Sequence, residues 1–385
     1  MVESVFILGN HIQALGLARQ VHRLGLEVML FTDTRYSITR FSNAVKQTII
    51  FKAENDLLDK IINLNKNPKN ILLFPTNDRM VEFLTHNYGL LSKGFYLGIS
   101  EPEVINIFAN KCNAYRFAAK HNIPIPESYF PDSMKEVKEI AEKIKYPVII
   151  KPAIMYTFHK IFGKKAIKCD NLKELISTIA LVTEKIPLNQ LIIQEFLDGG
   201  AKTLFSYGTF AVHGNSVASV MVNRTRQNPM TFGNSTTYAV TCNIPEIKEY
   251  AEKMLELTCY FGFAEIEFMY DKKNEKYKFL EINTRAWKWH SISNGLGFSF
   301  IEKMISYFNY NDTTVIRKYD EVYGWIERLT DAAVVFKELL HGNNLIKEVF
   351  ESYKTPRVYA VWSKRDIIPL IMYVLLSPVL YFKRH

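Results

Sequence analysis

Cysteine is scarce. Four residues in 385, Cys112, Cys169, Cys242 and Cys259, stand far apart with no C-x-x-C pair. A zinc ribbon and a disulfide framework are therefore not expected, and a reducing compartment is. Glycine is thin as well, at 17 residues. A dinucleotide fingerprint starting at Gly9 needs glycine two and five positions on, where His11 and Ala14 stand, so a nicotinamide reading keeps only Asp33 at about the ribose spacing. No block of like charge interrupts the chain. Its net charge of +9 is spread out, which disfavours nucleic acid and suits a small polyanion such as a nucleotide. No basic, cleavable leader precedes the strand-like start VFIL, so the cytosolic side is expected.

What is present is concentrated in Ala264 to Trp287, AEIEFMYDKKNEKYKFLEINTRAW. Two Val/Ile/Phe/Tyr-rich runs flank the polar DKKNEK, the pattern of a β-hairpin. Alternation puts Glu265 and Glu267 on one face of the first strand. On the second it puts Phe279, Glu281 and Asn283 together, opposite Leu280 and Ile282. A turn near Asn274 sets Glu267 across from Glu281. Facing carboxylates repel unless a cation lies between them. Two carboxylates and an amide oxygen suit a hard divalent ion completed by phosphate and water. A solvated polar face is the alternative for the same pattern.

Upstream, Val5–Leu8, a helical pattern to Leu24 and Val28–Phe31 read as a β-α-β unit. Strands at 47–51, 71–74 and 95–99 continue it into an open α/β domain with a mainly parallel sheet. Thr76, Asn77 and Asp78 are candidate N-caps or crevice residues at a strand's carboxyl end. Pro124 and Pro126 force an extended exit from a helix beginning at Lys111. YPVIIKPA ends an apolar strand in Lys151, a cation poised for a buried anion. LIIQEF runs into Leu197-Asp198-Gly199-Gly200, a turn or hinge. Arg224 and Arg226, two apart on a strand, either clamp an anion or form a basic edge. Trp287, Trp289 and His290 are packing residues or walls of an acceptor pocket.

NKCNAYRFAAKHNIPIPES, YPVIIKPA, LIIQEFLDGG, AEIEFMYD and FLEINTRAW, in this order, resemble the ATP-grasp superfamily over residues 1–300, on the side of the carboxylate-amine ligases near the D-aspartate ligases. The resemblance implies an α/β plus α+β fold. An N-terminal open α/β domain (1–109) precedes a small lobe (110–195), a large lobe with the metal site (196–310) and a C-terminal extension with an apolar helix (311–385). It implies ATP and Mg²⁺, or Mn²⁺ in its place. Lys111 and Lys151 match the phosphate lysines. Glu195, Phe196 and Leu197 match the adenine hinge, with Asp198 as a ribose partner. Glu267, Glu281 and Asn283 match the metal ligands, and Arg285 the arginine that steadies the transferred phosphoryl group. Glu265 has no matching role and is read as structural. The lid departs from the family: AIMYTFHKIFGKKAIKC has Gly163 as its only glycine, leaving His159, Lys160 or Lys164 to cover the triphosphate.

The chemistry implied is transfer of the γ-phosphoryl group to a small-molecule carboxylate and attack of an amine on the acyl phosphate, with Arg285, Arg224 and Arg226 positioning the acceptor. An idle nucleotide-binding module at a membrane is the alternative. The apolar stretch Ile367–Phe382 falls short of the roughly 20 residues of a bilayer span and is broken by Pro369 and Pro378. It is either a helix packed on the core or a peripheral membrane contact.

Overall fold

The computed structural model describes residues 1–64, 70–153, 158, 161–163, 165–230, 233, 235–343 and 345–384, the last six by their backbone alone. The N-terminal part consists of β1 (Ser4–Leu8), α1 (Ile12–Arg23), β2 (Glu27–Thr32), β3 (Gln47–Ile50), α2 (Glu54–Asn63), β4 (Ile71–Pro75), α3 (Asp78–His86), β5 (Tyr96–Leu97) and α4 (Pro102–Ala109). The five strands are parallel in the order β3-β2-β1-β4-β5. β1 and β4 read as nearly continuous apolar runs because both faces of a parallel sheet are covered. The order reverses between β1 and β4, so the loops leaving them diverge and open a crevice at the carboxyl edge. Of the three candidate caps, Asn77 takes the role: its side chain accepts from the Met80 N–H at 2.9 Å. Thr76 instead donates its hydroxyl to the Leu8 carbonyl, stitching β4 to β1.

A second, antiparallel sheet has the order β6-β9-β7-β8. It is built from β6 (Ser128–Tyr129), β7 (Val148–Pro152), β8 (Ile167–Cys169) and β9 (Leu191–Glu195). Its helices α6 (Met134–Lys143) and α7 (Leu172–Thr183) cover one face, burying Val137, Leu175 and Ile179 against Ile150 and Ile193. α5 (Lys111–Lys120) precedes this sheet, and the Asn110 side chain caps it through the N–H groups of Cys112 and Asn113.

The third sheet runs β14-β13-β10-β11-β12-β16-β17, with β15 beside β11. Its strands are β10 (Leu204–Val212), β11 (Asn215–Asn228), β12 (Ser235–Thr241), β13 (Gly262–Asp271), β14 (Lys276–Asn283), β15 (Ile316–Arg317), β16 (Gly324–Ile326) and β17 (Arg357–Tyr359). A boundary at residue 310 would cut this sheet, because β15, β16 and β17 complete it from the segment expected to be an extension. Its helices are α8 (Pro245–Leu257), α9 (Phe300–Tyr310), α10 (Arg328–Leu340), α11 (Ile346–Lys354) and α12 (Ile368–Arg384). No described helix is long and apolar enough to cross a membrane. α12 divides the two expectations for the tail. Leu370 and Tyr373 pack on the core, while Ile368, Ile371 and Leu375 face solvent.

One apolar cluster joins the first and third sheets through α1, α9 and the tryptophans after β14. Two close approaches allow it. A Cβ on Gly16 of α1 would come 2.8 Å from Nε2 of His290, and a Cβ on Gly208 of β10 would come 2.4 Å from the Trp287 ring. Overpacking of such a site costs about 1–3 kcal/mol. Gly208→Ala is therefore expected to lower the urea midpoint by a loss in that range. An unchanged midpoint would mean that the tryptophans have room to move.

Candidate functional site

β13 and β14 form the predicted hairpin, with Glu267 paired to Glu281 and Glu265 to Asn283. One feature differs from simple alternation. The ladder slips after Glu267, so Phe268 pairs with Phe279 and Leu280 is the extra residue of a bulge. Phe279 is consequently turned away from Glu281 and buried in the core with Phe268. The bulged Leu280 carbonyl accepts the Tyr115 hydroxyl at 2.6 Å, and Tyr115 in turn accepts from Lys151 Nζ at 2.6 Å. Lys111 and Tyr115 lie one turn apart on α5, so one helical face delivers both groups.

The carboxylates are matched by cations. Lys111 pairs with Glu281, and Arg224 Nη1 reaches Glu267 at 2.5 Å. Burial would raise Glu281, but Lys111, Lys165 and Lys151 outweigh it and hold the carboxyl well below the usual range. Burial, then the charge of Lys111, pushes Lys151 well below the ordinary lysine value. Lys165 is also lowered by burial, against the pull of Glu281 and Glu267. Glu265 goes the other way. Burial and the neighbouring Glu267 push it up to about 7, although Arg224 and the Trp289 indole N–H, 2.6 Å from its Oε1, oppose the shift. Asn283 Nδ2 donates to both Glu265 and Glu267 at 3.1 Å.

Arg224, Glu265, Glu267, Glu281 and Asn283 form one wall of a cavity of about 780 Å³, with Lys111, Lys151 and Tyr115 behind them rather than on its surface; the other wall is the carboxyl edge of the parallel sheet, including Asn10, Asp33 and Asn77. Arg285 ties the walls together: its Nε donates to Asp78 at 2.5 Å and its Nη2 to Asn283 Oδ1 at 3.3 Å. Lys165 and Tyr373 also line the space. Glu267 and Glu281 supply hard oxygen donors, while Asn283 turns its Nδ2 to Glu265 and Glu267 and its Oδ1 to Arg285. Mg²⁺ takes one or two carboxylates together with phosphate oxygens and water. The set fits that demand. Among the described residues no three His, Cys, Asp or Glu side chains make a closed metal cage.

Other expected site residues lie elsewhere. Arg226 does not join Arg224, because the β11–β12 ladder is irregular between Asn223 and Arg226. Its guanidinium is buried in a two-pronged bond to Asp331 of α10, at 2.9 and 2.8 Å, beneath the Tyr238 ring. Glu195 pairs with Lys278 and accepts from the Glu127 N–H. The Phe196 N–H bonds to the Pro147 carbonyl, Leu197 is half-buried and Asp198 exposed, and none of the four lines the cavity. His159, Lys160 and Lys164 lie outside the described residues. Trp287 and His290 are core, and Trp289 is both core and the donor to Glu265. Lys165 and Tyr115 are not singled out by the sequence, though Tyr115 has a signal in its spacing from Lys111. Glu265, on the same face as Glu267 but read as structural, lines the cavity.

His290 makes a direct test of this packing. Burial lowers it to about 4 from an ordinary 6.5, with Nε2 3.1 Å from the Gln13 carbonyl oxygen. A depressed imidazole contributes stability that is complete above its unfolded pKa and lost as pH falls from 6.5 through 4. Its share is about 3 kcal/mol. Urea unfolding of wild type and His290→Gln should converge as pH falls across that window. A constant difference between them would place the imidazole in contact with water.

The model of the family described as "Carbamoyl-phosphate synthase L chain, ATP binding domain" matches residues 110–306. A D-aspartate ligase of Enterococcus faecium is 22% identical over 296 residues, 72% of this chain and 70% of that protein. N5-carboxyaminoimidazole synthetase from Staphylococcus aureus superposes with a TM-score of 0.64 at 13% identity, covering 88% of this chain and 86% of its own. The biotin carboxylase domain of Hydrogenobacter thermophilus 2-oxoglutarate carboxylase, solved with MgADP, ADP and bicarbonate, gives 0.65 at 15% identity, covering 83% and 71%. At these identities the two solved structures establish likeness of fold.

Proposed function

The chain belongs to the family of the carbamoyl-phosphate synthase L chain ATP-binding domain, of ATP-grasp type, and from that premise we propose an ATP- and Mg²⁺-dependent ligase joining a small-molecule carboxylate to an amine. The observation that carries this reading is the pair Glu267 and Glu281, facing each other and each covered by a cation, at the base of a crevice closed by a second wall. Like charges paired across a ladder are unfavourable, and cations brought to them from separate elements suit a site built for a divalent ion and phosphate.

In this reading Glu267, Glu281 and Asn283 would hold Mg²⁺, which would supply charge neutralisation on the phosphate oxygens. Lys111 and Lys151 reach the phosphates from α5 and β7, and Lys165 adds a third ammonium. Residues 195–198 border the nucleotide base through backbone and apolar contacts. The γ-phosphoryl group passes from ATP to a carboxylate oxygen, ADP leaves, and the amine nitrogen then attacks the acyl carbon while inorganic phosphate departs. The amine proton is lost in that second step. Arg224 and Arg285 flank the reacting groups, so the protein's share is alignment and electrostatic stabilisation. Arg226 is assigned no part, since its fork is fully used by Asp331. Asp33 and Asn77, on the far wall, face the acceptor. The enzyme works on the cytoplasmic side, where ATP is available.

The test is ADP release screened over amino acids and sugar acids with an amine present. One pairing should turn over, and Glu281→Gln should lose about 100-fold or more, the scale on which one electrostatic group acts in such a site, with the fold intact by circular dichroism. Full activity in that variant would overturn the site assignment. MgATP binding without turnover on any pairing would favour the idle-module reading.

A further inference from the structure

The C-terminal helices expose apolar surface on a scale seen nowhere else in the described chain. Among the described residues, half of the large hydrophobic side chains that are exposed lie between Leu329 and Leu375, about an eighth of the length. α12 is the clearest case. Its inner side, Leu370 and Tyr373, is packed on the core, so an ordinary amphipathic helix would turn charge to solvent. Instead Ile368, Ile371, Val374 and Leu375 are 50–65% exposed, and Trp362 joins them just upstream at 43%. Patches of this kind mark interaction sites.

The chemistry of the occupant follows from the charges around the patch. Residues 328–384 carry nine Lys and Arg against five Asp and Glu. Two of the acids are buried on arginines outside the segment, Asp331 on Arg226 and Asp366 on Arg19. The exposed balance is therefore more basic than the sequence count, with Lys364 and Arg365 both exposed at the head of α12. A second copy of the chain meeting this face about a two-fold axis would set those cations against their own equivalents. An anionic lipid surface instead offers charge to the basic rim and hydrocarbon to the apolar face, the pairing that holds interfacial helices.

The helix is also fixed in direction. Asp366 accepts from Arg19 Nε at 2.8 Å, from the Ser42 hydroxyl at 2.6 Å and from the Asn43 N–H at 3.1 Å. Ion pair and hydrogen bonds thus lock the start of α12 to the parallel-sheet domain. Tyr373, on the opposite side of the same helix, lines the crevice described above. We propose that the outer face of α12, with Trp362, Lys364 and Arg365, docks this protein on an anionic lipid surface, holding the crevice roughly one helix diameter, ~10 Å, from the bilayer. The docking does not depend on the ligase reading. It adds that substrates presented at the membrane surface reach the crevice without leaving it.

Flotation of the full chain with vesicles tests this. Wild type should float with vesicles of three parts phosphatidylcholine to one part phosphatidylglycerol, and bind at least about tenfold more weakly to phosphatidylcholine alone, since each basic residue near an anionic surface contributes about 1 kcal/mol. Ile371→Glu with Leu375→Glu should reduce binding to the mixed vesicles by at least tenfold on the same scale, and Lys364→Glu with Arg365→Glu should remove the preference for them. MgATP affinity, measured in parallel, should be unchanged in both variants, so that a failure here is separable from a failure of the catalytic reading. Wild type remaining unbound with both vesicles would overturn the proposal. So would equal binding of the apolar-face variant, or a dimer that this variant converts to monomer without any vesicle binding.

Discussion

Two carboxylates held face to face are the constraint around which this molecule is arranged. At an effective dielectric constant near 20, unit charges about 4 Å apart interact by about 4 kcal/mol, a large part of the stability of a domain. Glu267 and Glu281 are direct partners in the β13–β14 ladder, with Glu265 beside them. The surrounding elements bring compensating charge from separate parts of the chain: Lys111 at the start of α5, Lys151 at the end of β7, Lys165 after Gly163 and Arg224 on β11. The balance is incomplete. Lys151 is driven toward its neutral form and Glu265 toward its protonated one, the response of buried charges lacking full partners. A divalent cation with a polyphosphate would meet both needs, drawing carboxylates to the metal and lysines to the phosphates.

The crevice depends on rigid attachment between sheets. Arg285 bridges β14 to Asp78 at the start of α3, and His290 sits against α1 where Gly16 leaves room. Because the first and third sheets share one apolar cluster, a shift of the parallel sheet would be felt at the hairpin. The chain after residue 310 belongs to this framework, since β16 and β17 extend the large sheet and Asp331 is locked to Arg226.

Much of the site was legible because its spacing follows strand and helix periods. Glu267 opposite Glu281 came from alternation and a turn near Asn274, and the parallel domain from apolar runs bounded by helical stretches. Failures occurred where the period breaks. The extra residue at Leu280 turned Phe279 to the other face, and an irregularity after Asn223 separated Arg226 from Arg224. No local signal in the sequence marks either bulge. The sheet contributed by 311–385 was hidden for another reason: β15, β16 and β17 are two or three residues long and are held by neighbours remote in sequence. Glu265 was set aside for having no family role, yet its contact with Trp289 and its burial beside Glu267 make it part of the same charge problem.

The central claim is that the facing carboxylates form a cation site completed by nucleotide phosphate. Calorimetric titration of ADP into the protein, with and without Mg²⁺, tests it most directly when run on wild type and on Glu267→Gln with Glu281→Gln. The account predicts that Mg²⁺ strengthens ADP binding in wild type, and that the double variant binds ADP with no benefit from Mg²⁺ while its metal-free affinity holds or rises. An equal Mg²⁺ benefit in both proteins, or none in wild type, would contradict it.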